Sequence, residues 1–268
     1  MIRALTFVHR WLGVPFSLLF AMWFASGIVM HFVPFPALTE AERIAGLAPV
    51  DFARVLRGPR DAVAASGIAD AARVRLVQRS DGPVYLVSGG SRTAALRADD
   101  VRPAAVPSAS LALAIAVDQA RRRGLDAADA AVAGLAAYDQ WTVAGSFDRH
   151  RPLWRIALND GAGTELYVSS ATGEIVQDTS RRARRWNYAG SIAHWIYPTI
   201  LRRRTAAWTK TVWAISLVAS FTALAGSVLG VLRLAPTRPF TPYRGWHALH
   251  HVLGLICATF VLSWIVSG

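Results

Sequence analysis

Cysteine and lysine are nearly absent, since the chain holds one of each, Cys257 and Lys210. A lone cysteine inside an apolar run excludes a disulfide framework and a thiolate metal centre. Aspartate and glutamate are missing from the three long apolar stretches. That removes the carboxylates a zinc or iron transport path would need. No glycine-rich flavin or nicotinamide fingerprint is present, and no nucleic-acid recognition motif appears, so no nucleic acid is expected as a partner. The first apolar run ends at His31-Phe32-Val33-Pro34 with no small-residue cleavage pattern. It is therefore read as a retained helix and not a secretory signal.

What the chain has in quantity is apolar and aromatic surface. Of 268 residues, 53% are hydrophobic and ten are tryptophan, and the mean hydropathy is +0.32. With 17% charged residues, this is the composition of an α-helical membrane protein with one large aqueous part. The net charge of +12 is almost wholly arginine, gathered at 181–185 and at Arg202, Arg203 and Arg204 beside an apolar segment. Anionic headgroups of a lipid bilayer account for that placement.

Hydropathy and turn residues divide the chain into a first membrane helix (1–34), a soluble α+β domain in two parts (35–106 and 107–180), an interfacial segment (181–205), a second membrane helix (206–233), a short proline-rich loop (234–244) and a third membrane helix (245–268). Three crossings are expected. In the first soluble part a helix is expected over 49–66, then strands near 73–79, 84–87 and 93–96. In the second, Ser108 or Ser110 caps a helix ending at Gly124. Strands follow near 131–143, 153–158 and 165–168, and Thr172-Gly173-Glu174 turns the chain into Ile175 and Val176. The repeated order α, β, β, β reads as two copies of one small unit.

The first apolar run carries a histidine at each end, His9 and His31. The interval of 22 residues spans roughly 33 Å and closes six helical turns with about 40° left over, so both imidazoles leave one helix face at opposite membrane surfaces. Gly13 and Gly27 stand one turn inward from each histidine, clearing space in which a flat macrocycle could lie against the backbone. The third apolar run repeats the first. His9, Gly13, Trp23, Ser26 and Gly27 align without gaps on His250, Gly254, Trp264, Ser267 and Gly268, at a constant offset of 241 residues. His250 thereby takes the depth of His9, although His247 and His251 lie close enough to replace it. His194, in the aromatic interfacial segment, takes the side of His31, with Gly190 four residues before it. Two layers of paired histidines are what two six-coordinate b-type haems stacked across a bilayer require, because two axial imidazoles leave no open position and suit electron transfer. The register ends at Ser267-Gly268, short of a position equivalent to His31, and a longer chain with a fourth helix supplying an outer ligand is the expectation.

The opening with His9, Trp11, Leu12 and Gly13, the turn Tyr167-Val168-Ser169-Ser170-Ala171-Thr172-Gly173-Glu174-Ile175, and His194 shortly before the second membrane helix resemble the PepSY-associated transmembrane family over nearly the whole chain. Members of that family include bacterial inner-membrane ferric-siderophore reductases. The resemblance implies PepSY units facing the periplasm, a cytoplasmic N-terminus, and haem iron on His9, His31, His194 and His250. It implies a ferric siderophore or another periplasmic electron acceptor, fed by an unknown cytoplasmic donor. Where the family has aspartate-proline before the Thr-Gly-Glu turn, this chain has Ser169, Ser170 and Ala171.

Counting Arg202, Arg203, Arg204, Lys210 and 181–185 against Arg3, Arg10, Arg233, Arg238 and Arg244 favours a cytoplasmic domain. The positive-inside rule governs short loops, and this domain is long, so the periplasmic placement is kept. Two functions fit: a transmembrane electron-transfer protein, or a membrane-anchored PepSY module that binds a peptide or regulates a peptidase without redox activity. His150, between strands, reads as a solvated loop histidine that could alternatively touch a substrate.

Overall fold

A computed structural model describes residues 2–235 and 240–267. Arg238 and Gly268, the last position of the repeat, lie outside the described residues, as does part of the loop expected at 234–244.

Helix α1 (Ile2–Phe32) is apolar along almost its whole length, and Pro34 and Pro36 prevent its continuation. Thr39 and Glu42 form a capping box at the start of α2 (Glu40–Ala45), an element not expected from the sequence. The helix expected over 49–66 is only a 3-10 turn at Phe52–Arg54 and α3 (Pro59–Ser66). Pro59 lacks an N–H and can start a helix but not continue one.

Strands β1 (Arg73–Arg79), β2 (Gly82–Gly89) and β3 (Arg92–Arg97) form an antiparallel meander. Side chains alternate across it. Tyr85 and Val87 meet Ala62 of α3, whereas Val84 and Leu86 pack with Val77 and Ala95 on the other face.

Ser108 caps α4 (Ala109–Arg122) as expected. Strands β4 (Ala131–Ala136), β5 (Leu153–Ala157), β6 (Glu165–Ser169) and β7 (Ile175–Thr179) form a four-stranded antiparallel sheet in chain order. The strand expected over 131–143 stops at Ala136, because Asp139 accepts from the backbone N–H of Trp141 and turns the chain out of the sheet. The second unit thus has one strand more than the first.

Ala112, Ile115 and Ala116 of α4 cover one face of this sheet through Ile156, Leu166 and Val168. On the other face Leu153, Tyr167 and Val176 meet Trp141, Phe35 and Ile192. Two of those partners belong to the neck: Phe35 follows α1, and Ile192 precedes the return to the membrane. Hydrogen bonds tie the neck together, from Asn187 Nδ2 to the Pro34 carbonyl (3.1 Å) and from Gln177 Nε2 to the Pro36 carbonyl (2.7 Å).

The two units are joined at the Thr-Gly-Glu turn. Buried Arg79 donates to the carbonyls of Ala104 (2.6 Å) and Thr172 (3.1 Å), and Arg75 pairs with Glu174 at 2.5 Å. Gly173 has φ +74°, and a Cβ there would stand 3.0 Å from the Arg79 side chain.

Helix α5 (Arg181–Asn187), capped by Ser180, runs through a π-helical turn at Tyr188–Ile192 to His194. Short α6 (Thr199–Arg202) leads into α7 (Thr205–Leu232), and α8 (Gly245–Ser267) follows. Helix α7 packs against both α1 and α8. A Cβ on Gly230 would come within 2.8 Å of Leu255, so the glycine sets how closely α7 and α8 approach. Helices α1, α7 and α8 (to Ile265) are each long and apolar enough to cross a membrane. Their outward side chains, such as Leu18, Trp213 and Phe260, are more than 70% exposed, as contact with lipid requires. The chain is a membrane protein with an α+β extramembrane domain.

Candidate haem-binding histidines

Two of the residue pairs related by the 241-residue offset meet. The rings of His9 and His250 lie 6.2 Å apart between centroids, and Trp23 meets Trp264 edge-on at 6.1 Å. These two contacts are separated by 14 residues along α1, roughly 21 Å. Helices α1 and α8 therefore run parallel and in register, with large side chains spanning the space between them.

His9 is held from α7. Its Nδ1 lies 3.1 Å from the carbonyl oxygen of Thr222, and a carbonyl only accepts, so Nδ1 is the donor. One turn further along α7 stands Gly226, where a Cβ would be 2.5 Å from His9 Cε1. His194 is held the same way from α1. Its Nδ1 lies 3.1 Å from the Trp23 carbonyl and 3.0 Å from Ser26 Oγ, and Gly27 supplies the flat surface, a Cβ there falling 3.5 Å from His194 Cε1. Each imidazole thus lies over a glycine and donates to the carbonyl four residues before it. Among the described residues neither Nε2 has a hydrogen-bond partner.

The histidine cluster on α8 is resolved by partners. His251 is buried, with Nδ1 2.9 Å from Thr241 Oγ1 and Nε2 2.8 Å from the Gly230 carbonyl. Both nitrogens are occupied, which makes it a structural tie between α7 and α8. His247 and His250 are exposed, and among the described residues it is His250 whose ring meets His9.

The outer layer differs from its expected form. His31 is exposed and touches the ring of Phe32 at 5.0 Å, and among the described residues no ring contact or hydrogen bond joins it to His194. The ring across from His194 is that of Trp264, at 6.2 Å. The glycines also divide. A Cβ on Gly13 or Gly254 would meet nothing within 4 Å, which leaves those two positions clear, whereas Gly27 is covered by His194. Gly190 packs on Val29.

Sequence reasoning missed Thr222 as the anchor of His9. It also misplaced His150, which lies in a 3-10 turn at Gly145–His150 with a buried Nδ1 that has no hydrogen-bond partner among the described residues. Burial holds the pKa of His150 below the usual histidine value, Glu174 opposes that shift, and Arg149, Arg43 and Arg75 add to it.

Two imidazoles on opposite sides of one metal have ring centres about 6 Å apart, from two bonds of about 2 Å and about 1.1 Å within each ring. The His9–His250 spacing of 6.2 Å fits that arrangement. Among the described residues no group of three or more His, Cys, Asp or Glu side chains is placed to hold a metal ion. Comparison of the chain with protein-family models, with curated proteins and with solved structures returns no match.

Proposed function

We propose that this protein is a haem-carrying electron-transfer protein of the bacterial inner membrane, passing electrons from a cytoplasmic donor to a periplasmic acceptor such as a ferric siderophore. The observation that carries the reading is the His9–His250 pair at 6.2 Å, contributed by parallel helices and held by a third. In this reading the N-terminus is cytoplasmic, and the two soluble units are PepSY-like and periplasmic. His9 and His250 hold one haem b, and His194, with His31 nearby in sequence depth, belongs to a second.

A haem held by His9 and His250 would supply one-electron transfer. The rest is the work of the chain. The carbonyls of Thr222 and Trp23 fix the tautomer of His9 and His194, so that each presents Nε2 without a rotational search. Gly13 and Gly254 leave the backbone bare beside the inner pair. Trp23, Phe24 and Trp264 gather apolar rings beside His194.

One observation favours a second reading, a membrane-anchored binding module without redox activity: His31 faces no second imidazole among the described residues. An absorption spectrum of the purified full-length protein separates the two. Soret and α bands that sharpen on dithionite reduction are expected, and a colourless, folded preparation would overturn the electron-transfer reading.

A further inference from the structure

On the face of the second sheet that α4 leaves uncovered, a recess of about 340 Å³ opens beside the neck, walled by Arg155, Arg181, Arg184 and Arg185, the rings of Trp141 and Tyr188, and one carboxylate, Glu165. Such a volume is at the lower end of small-molecule sites, about 300–1,000 Å³. Three of the arginines come from α5 at positions i, i+3 and i+4, and therefore share one helix face, where like charges repel.

The available carboxylates do not neutralise them. Glu165 is divided between Arg184 (3.4 Å) and Arg155 (3.9 Å), and Asp139 pairs with Arg155 at 3.2 Å. Among the described residues, Arg181 and Arg185 have no carboxylate within 4.0 Å, and Arg155 Nε is buried without a hydrogen bond. The wall is also shaped around them. Gly163 has φ +63°, and a Cβ there would stand 2.9 Å from Arg181 Nε, while the Gly163 carbonyl accepts from Arg184 Nη2 at 2.9 Å. Trp141 and Tyr188 meet edge-on at 5.5 Å to make the apolar side.

We infer that this recess is a binding site for an oxyanion of the phosphate class. Guanidinium groups match phosphate oxygens with paired, charge-assisted hydrogen bonds, and an oxyanion among Arg181, Arg184 and Arg185 removes their mutual repulsion. Because α5 packs against α1 at the membrane exit, the phosphate can come from a lipid headgroup or from a free phosphoryl compound. The recess shares no residue with the histidine layers, so a colourless preparation would leave this inference intact.

The test uses the full-length protein in nanodiscs. In one arm, discs of phosphatidylcholine are titrated calorimetrically with inorganic phosphate. In the other, native mass spectrometry counts phosphatidylglycerol retained from mixed discs. Saturable binding is expected in at least one arm: heat with phosphate assigns a free ligand, and retention of phosphatidylglycerol alone assigns a lipid. Arg181→Gln with Arg185→Gln should weaken it by more than about tenfold, given about 1.5–3 kcal/mol per hydrogen bond to a charged group. Arg202→Gln with Arg203→Gln, the control for diffuse charge, should change it less than about twofold. Both target side chains are exposed, and Arg185→Gln alone serves if the double variant fails to fold. Absence of binding in both arms, or equal losses in the target and control variants, would overturn the inference.

Discussion

The Nδ1 of His194 lies 3.1 Å from the carbonyl oxygen of Trp23, and the indole Nε1 of Trp23 donates back to the carbonyl oxygen of His194 at 3.0 Å. The two residues are 171 positions apart in sequence, yet each satisfies the other's backbone. Trp23→Phe keeps most of the apolar volume and leaves the His194 carbonyl without its donor, a loss of about 1–3 kcal/mol. A lower thermal midpoint is expected and, on the proposed haem assignment, a smaller spectral share for the haem on His194 with none lost from the inner one. An unchanged midpoint would show that the reciprocal bond contributes nothing.

Gly226→Ala should remove the inner haem. The new methyl would stand 2.5 Å from His9 Cε1, a distance no real contact permits, so the imidazole must leave Thr222. Gly13→Leu provides the contrast, because nothing lies within 4 Å of a Cβ there. The protein should fold normally, His9 should stay in place, and haem should still be lost if a macrocycle occupies that clearing. Full haem content in Gly13→Leu would place the macrocycle elsewhere.

His250→Ala and His251→Ala should part company. Removing His251 breaks the ties to Thr241 and Gly230, and is expected to lower stability by about 1–3 kcal/mol while haem is retained. Removing His250 should abolish the inner haem and alter stability little, since its ring is exposed. Pyridine haemochrome quantitation alongside thermal melts distinguishes them. The opposite pattern would assign the ligand to His251.

Stability should fall in mild acid through His150. Its pKa is lowered in the folded protein, chiefly by burial, so below the unfolded value of about 6.5 the unfolded chain binds the extra proton more readily. The contribution is complete above about pH 6.5 and is lost as pH falls through the folded pKa. Melting between about pH 7.5 and 5 should show this, and His150→Leu should flatten the dependence in that window. A slope that the substitution leaves unaltered would place the acid sensitivity elsewhere.

The membrane helices and most strands were legible in the sequence because apolar length and period-two alternation are local properties. The spacing of His9 and His250 was legible for a less common reason: an ungapped repeat assigns equal depth to distant residues. Which neighbour holds each imidazole was not legible, since Thr222 offers a main-chain carbonyl, which every residue has. Similarly, His251 looked interchangeable with His250 until Thr241 and Gly230 were seen to occupy both of its nitrogens. The end of β4 at Ala136 went unseen because Trp141 leaves the sheet for Phe35, a partner that only the folded neck supplies. Asp139 followed by Trp141 offered a weak turn signal, outweighed by the apolar residues on either side.

The hydrogen bonds from Asn187 to Pro34 and from Gln177 to Pro36 bring the beginning and the end of the aqueous domain side by side. In topological terms that domain is a cassette spliced into the connection between two membrane helices. Among the described residues, none of the hydrogen-bond or ring partners of His9, His194, His250 or His251 lies between residues 37 and 176. A chain in which that stretch is replaced by a short linker therefore keeps the direct partners of those imidazoles, while Ile192, two residues before His194, loses its packing on Trp141, Leu153 and Tyr167.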